Sequence, residues 1–166
     1  MVTGLLGLGN VLLQDARIGV HVVTTIREKY DCPTDLAIID GGTLGLDLLP
    51  CFEKFDRVLI VHAIDFGKEP GYVGILEDHE IYDLKFPKIS VHHLGLADIL
   101  TTARLMGVMP SEVCLIGMQP SFDDFTFSLE MSDAVNFNMP KVIDMVLSKL
   151  KEWEIECVLN LNSCLP

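Results

Sequence analysis

At 166 residues the chain has the length of one domain, 1–166, and is long enough to bury a substantial core. Hydrophobic residues make up 49% of it and the mean hydropathy is positive, which argues against disorder, yet no apolar run reaches the ~18 residues of a membrane span. Twelve basic against 24 acidic residues give a net charge of −12, which excludes generic nucleic-acid binding and leaves room for a basic protein partner.

The first element is an apolar run ending in Gly7-Leu8-Gly9-Asn10, with Asp15 six positions after Gly9. This reads as a strand, a tight turn and a loop that carries polar groups to the carboxyl edge of a sheet, where open α/β sheets bind their ligands. It is not a dinucleotide fingerprint, because Leu12 stands where the third glycine is needed, and no GK[ST] follows to make a P-loop. Ile18, Val22, Val23 and Ile26 then form one face of a helix ending near Lys29.

Leu36–Asp40, Arg57–Ile64 and Val113–Gly117 are continuous apolar runs, as expected of strands buried on both faces of a mostly parallel sheet. Gly71–Leu76 reads as an additional strand, antiparallel at an edge. Leu96, Ile99, Leu100, Ala103 and Met106 form a second helical face stopped by Gly107. Met139, Val142, Ile143, Val146, Leu147 and Leu150 form a third, with Pro140 near its start or at a kink. Alternating strands and helices predict a three-layer α/β/α domain. The tail at 154–166 carries no recognisable pattern.

The five cysteines are Cys32, Cys51, Cys114, Cys157 and Cys164. The odd count without a CxxC predicts free thiols in a reducing cytoplasm, with Cys114 a core residue of its strand. The N-terminus has no basic region ahead of a long apolar one, so no signal peptide is expected.

Asp15, Asp40, His62 and Asp65 fall at or just beyond predicted strand ends, which share one edge of a parallel sheet. Ser90-Val91-His92-His93 precedes the second helix and could bring imidazoles to the same place. Histidine with carboxylates suits a borderline metal such as nickel or zinc. The plainer alternative is that Asp15 and Asp40 form turns or caps and His92 caps its helix. His62, inside an apolar run, needs a polar partner if it is buried.

Taken together these segments resemble the hydrogenase maturation endopeptidases, which remove a C-terminal tail from the large-subunit precursor of nickel–iron hydrogenases. The resemblance rests on Gly7-x-Gly9-Asn10-x-Leu12-x-x-Asp15, Asp40-Gly41-Gly42-Thr43, Ala63-Ile64-Asp65 with Pro70-Gly71, Ser90-x-His92 and Gly117-Met118-Gln119-Pro120, and spans about Leu5 to Leu150. It implies a twisted, mostly parallel five-stranded sheet of the phosphorylase/hydrolase-like kind. It also implies a site that reads nickel already loaded in the precursor through a glutamate, an aspartate and a histidine. Here the histidine is His92, the glutamate position is Ala16 and the aspartate position is His62.

On this reading His62, His92 and Asp65 are the metal candidates, and Asp15 and Asp40 are the catalytic ones, acting on a water because no Ser-His-Asp or Cys-His set is evident. The partner is the precursor and the metal is the nickel it carries. The protein is expected to be a cytoplasmic monomer without nucleic-acid or membrane partners. Because two carboxylates are replaced, the competing reading is a precursor-binding checkpoint protein with impaired cleavage.

Overall fold

In the computed structural model the residues described are 1–77, 79–82, 96–121 and 129–161. Ser90, His92, His93 and Cys164 lie outside them. The chain runs β1 (Thr3–Leu8), α1 (Ile18–Lys29), β2 (Tyr30–Asp31), β3 (Leu36–Gly42), α2 (Leu49–Lys54), β4 (Arg57–Ala63), β5 (Val73–Glu77), α3 (His79–Tyr82), α4 (Leu96–Met106), β6 (Glu112–Met118), α5 (Asp133–Glu152) and β7 (Val158–Leu159). Short 3-10 turns, Gln14–Arg17 and Gly45–Leu48, precede α1 and α2.

The main sheet has five strands in the order β3-β1-β4-β6-β5. The first four are parallel, and β5 closes one edge antiparallel to β6, as the sequence predicts. Alternate residues feed two cores. Leu5, Leu59, Val61, Cys114 and Ile116 face α1 and α5, whereas Leu6, Val58, Ile60 and Leu115 face α2 and α4. Both faces are therefore covered, which explains why these strands read as continuous apolar runs.

The predicted α1 face is fully buried: Ile18, Val22, Val23 and Ile26 are each 0% exposed. Burying each such side chain is worth about 1.5–3 kcal/mol. In α4 the apolar stripe ends at Ala103, because Met106 projects into solvent. Gly107, with φ +70°, then stops the helix, and the Val108 N–H returns to the Ala103 carbonyl.

Helix α5 starts earlier than its hydropathy suggests, and Pro140 lies within it. Pro140 and Asn136 both lie on the exposed side, so water can satisfy the Asn136 carbonyl that has lost its helical partner. The early start adds Val135 to the core.

The described part of the tail, up to residue 161, is also structured. Trp153 and Ile155 are buried, and β7 pairs antiparallel with β2. Here the expectation of free cysteines fails for two of the five, because Cys32 and Cys157 form a disulfide across a sequence separation of 125, whereas Cys51 and Cys114 are not disulfide-bonded. No local spacing announces this pair; it forms because α1 and α5 end beside each other. Cys114 is buried in β6, as expected.

The seating of α1 depends on Gly7 and Gly19. A Cβ on Gly7 would overlap the Gly19 carbonyl, and one on Gly19 would overlap the carbonyl oxygens of Val61 and Leu8. All of these obstacles are backbone, so a side-chain rotation cannot relieve them. Gly19→Ala is therefore expected to lower stability by about 2–4 kcal/mol, although alanine favours an isolated helix by up to about 1 kcal/mol. Urea unfolding checks this, and an unchanged midpoint would show that α1 can lift off β1.

Candidate functional site

After β3 the chain reverses its direction of winding, placing successive strands on the other side of β1. The β1 and β4 loops consequently diverge to opposite faces, leaving a crevice at the carboxyl edge, the usual place for a site in such sheets. The loops that leave β1, β3 and β4 begin alike, with a side-chain oxygen accepting from the amide two residues on. Asn10 Oδ1 accepts from Leu12 at 2.9 Å, Asp40 Oδ1 from Gly42 at 3.0 Å, and Asp65 Oδ1 from Gly67 at 2.9 Å. The turn-forming alternative for Asp40 is thus present in the fold. The Gly9 N–H donates to the Gly42 carbonyl at 2.9 Å and joins the first two loops.

Gly7 and Gly9 serve packing rather than phosphate binding. A Cβ on Gly9, whose φ is +142°, would strike the Ala16 carbonyl, so the loop folds tightly over its own start. Gln14, just before Asp15, has φ +26°, an uncommon conformation for a residue with a side chain.

Asp15 is 3% exposed. Its Oδ1 accepts from the Ser132 N–H at 2.7 Å, and its Oδ2 accepts from the Ser121 N–H and the Ser132 hydroxyl, each at 2.8 Å. It therefore ties the first loop to the segment after β6 and to the start of α5. Arg17 adds a second tie, its guanidinium donating to the Leu129 carbonyl. Ser132 carries little sequence signal because the periodicity of α5 becomes clear only seven residues later.

Alternation places His62 on the α2–α4 face at the end of β4, half-buried. Its Nδ1 lies 3.3 Å from the Leu8 carbonyl across the crevice. A carbonyl only accepts, so Nδ1 carries the proton and Nε2 keeps its lone pair. Burial pushes the His62 pKa below its ordinary 6.5, opposed by the smaller effect of the Leu8 hydrogen bond. The imidazole is neutral at neutral pH.

Asp65 is held by Gln119, which is only 2% exposed. Gln119 Nε2 donates to Asp65 Oδ1 at 3.2 Å, while its Oε1 accepts from the Phe66 and Lys68 amides at 2.7 and 3.2 Å. Gln119 belongs to the Gly117–Pro120 segment of the resemblance, but a buried amide organising a neighbouring turn cannot be read from spacing.

Among the described residues no three His, Cys, Asp or Glu side chains gather into a group that could hold a metal. The four strand-end candidates share the edge, but Asp15, Asp40 and Asp65 each accept from loop donors, whereas His62 is held by the Leu8 carbonyl across the β1–β4 crevice.

A family model described as hydrogenase maturation protease matches residues 20–149. The hydrogenase 2 maturation protease of Escherichia coli is 36% identical over 154 residues, 92% of this chain and 93% of that protein. The hydrogenase expression/formation protein HupD of Rhodobacter capsulatus is 37% identical over 153 residues, 91% of this chain and 72% of its own length. Among solved structures, the hydrogenase maturating endopeptidase HYBD from E. coli matches with a TM-score of 0.88 at 33% identity, over 98% of this chain and 99% of its own. The chain belongs to the hydrogenase maturation proteases.

Hydrogenase maturation proteases are peptide hydrolases, and this member has their three-layer fold. No helix among its described residues is long and apolar enough to cross a membrane. At the two positions where the resemblance implies carboxylate ligands, this maturation protease has Ala16 and His62.

Two outcomes follow for the protease. Asp15→Ala removes an acceptor from three donors, two of them backbone amides, and should cost about 3 kcal/mol. Amide exchange should rise at Ser121 and Ser132; unchanged protection there would show that Asp15 does not hold the junction. The second outcome concerns acid. Burial lowers the His62 pKa, and burial aided by Arg17 and Lys29 lowers that of His21 from 6.5. The unfolded chain then binds protons that the folded one does not, so this part of the stability is complete above pH 6.5 and declines as pH falls below it toward the lowered folded values. Unfolding midpoints between about pH 8 and 5 should fall with acid, less steeply in His62→Gln.

Proposed function

We propose that the chain removes the C-terminal extension from the large-subunit precursor of a nickel–iron hydrogenase once nickel has been inserted. The observation that carries this reading is the neutral, tautomer-fixed His62 at the β1–β4 crevice, in a chain whose family is maturation proteases. A backbone carbonyl behind one ring nitrogen is the usual way to aim the other at a metal. In this reading His62 and His92 meet the nickel borne by the precursor, so the metal belongs to the substrate. Asp65 is the third metal candidate, and the Gln119 amide fixes its carboxylate beside the crevice.

Asp40 is exposed, with one oxygen on the Gly42 amide, and its other oxygen is suited to orient a water at the scissile peptide. That water adds to the peptide carbonyl, the C–N bond breaks, and the departing amine takes a proton. Asp15 acts from behind, holding the loop that frames the crevice. The reading includes a cytoplasmic monomer acting on a protein partner.

A second reading is favoured by Ala16 and His62. Two carboxylates and an imidazole would bring two negative charges to a divalent metal, whereas His62 with His92 bring none, so nickel would be held more weakly. The chain would then bind the precursor and cut it poorly.

A mass-spectrometric cleavage assay on nickel-loaded and nickel-free precursor separates the two readings. Loss of the tail only with nickel supports the endopeptidase. An intact tail on a bound precursor supports the checkpoint. Ala16→Glu together with His62→Asp should accelerate nickel-dependent cleavage by at least about tenfold, since even an outer-shell partner is worth that much to a metal site. No acceleration in a folded double variant would remove these positions from the explanation.

A further inference from the structure

The Cys32–Cys157 disulfide has no part in the carboxyl-edge site. It lies where α1 and α5 end, with Cys32 just after β2 and Cys157 just before β7. Both cysteines are half-buried. The bond fastens the short β2–β7 pair to the ends of the two helices. Val158 and Leu159 are exposed, so the β2–β7 pair buries little apolar surface of its own, and an isolated two-stranded pair is marginal in water. Among the described residues further ties are the Asn160 N–H to the Lys29 carbonyl at 2.8 Å, the Asn160 amide to Asp31 at 3.2 Å, and the packing of Tyr30, Cys32 and Cys157 against the α1–α5 core. Beside them lies a cleft of about 320 Å³ with Cys157 in its wall, alongside Ile155, Asp144, Ser148, Lys151 and Glu156.

We propose that Cys32–Cys157 is a thiol–disulfide exchange site, opened through this cleft by a dithiol reductant. The thiolate of the dithiol attacks the Cys157 sulfur, the Cys32–Cys157 bond breaks, and Cys32 leaves as a thiolate that takes up a proton. The second thiol of the reductant then attacks its own sulfur in the mixed disulfide and releases Cys157 as a thiol. The protein gains two electrons and two protons, and the reductant becomes a disulfide. Lys151 on the cleft wall attracts the attacking thiolate, while Asp144 and Glu156 disfavour reductants that carry further negative charge elsewhere. Opening frees β7 while the carboxyl-edge loops keep their own hydrogen bonds. In an oxidising compartment the bond persists as a staple; in a reducing one it is of the transient, responsive kind.

The test is alkylation of the native protein followed by mass spectrometry, with and without dithiothreitol. Without reductant Cys32 and Cys157 should stay unmodified. With dithiothreitol they should become alkylated together while the protein remains folded and the buried Cys114 stays protected. Amide exchange at Val158–Leu159 should rise by about tenfold or more, and Tm should fall by roughly 5–15 °C. Cys157→Ser should reproduce both changes without reductant. Ser148→Trp, which fills the cleft at an exposed position, should slow the opening severalfold. Three results would overturn the proposal: opening only in denaturant, alkylation of both cysteines without reductant, or an unchanged rate in Ser148→Trp.

Discussion

Helix α1 can lie where it does only because two glycines meet. With no side chain on Gly7 or Gly19, the first turn of the helix sits directly on the backbone of β1 and β4. That contact sets the height and angle at which the chain returns from the carboxyl edge. The loop between β1 and α1 must then double back tightly, which brings Gly9 against the Ala16 carbonyl and Asp15 into the interior. The same two-glycine signature that in other α/β proteins brings backbone close to a phosphate here brings a helix close to a sheet.

At the rim of this scaffold the described strand-end carboxylates help to hold backbone. Asp15, Asp40 and Asp65 each accept loop amides, and the neutral amide of Gln119 fixes the turn after β4. An uncharged imidazole, its proton held on one nitrogen by Leu8, stands at the crevice between β1 and β4. A neutral donor in a carboxyl-edge crevice suits a partner that arrives with its own metal and its own anionic ligands, because it adds no repulsion to theirs.

Much of the fold was legible because both faces of the sheet are buried. Arg57–Ala63 and Glu112–Met118 have no amphipathic alternation to confuse with surface strands, and the α1 stripe is fully internal. Helix α2 and the β2–β7 pair were not legible, since elements of six and two residues are too short to show a period. The disulfide depends on where two helices end, not on any spacing of cysteines. In the site, the turn-forming geometry of Asp40 was visible from its Gly-Gly sequel. The tie from Asp15 to Ser132 spans 117 residues and exists only in three dimensions. His62 announced itself, because a polar ring in an apolar run demands a partner; that the partner is the Leu8 carbonyl follows from strand order.

Helices α1 and α5 leave the carboxyl edge side by side, joined there by Asp15 and Ser132, and finish at the opposite edge joined by a covalent bond. Two rods fastened at both ends make a closed frame, which resists sliding of one rod past the other far better than packing alone. A peptide arriving at the rim therefore meets one layer of the sandwich that is braced against shear, and its fit is accommodated by the rim loops and the α2–α4 layer. Undoing the far fastening leaves the two rods held by their shared core and by the aspartate at the rim.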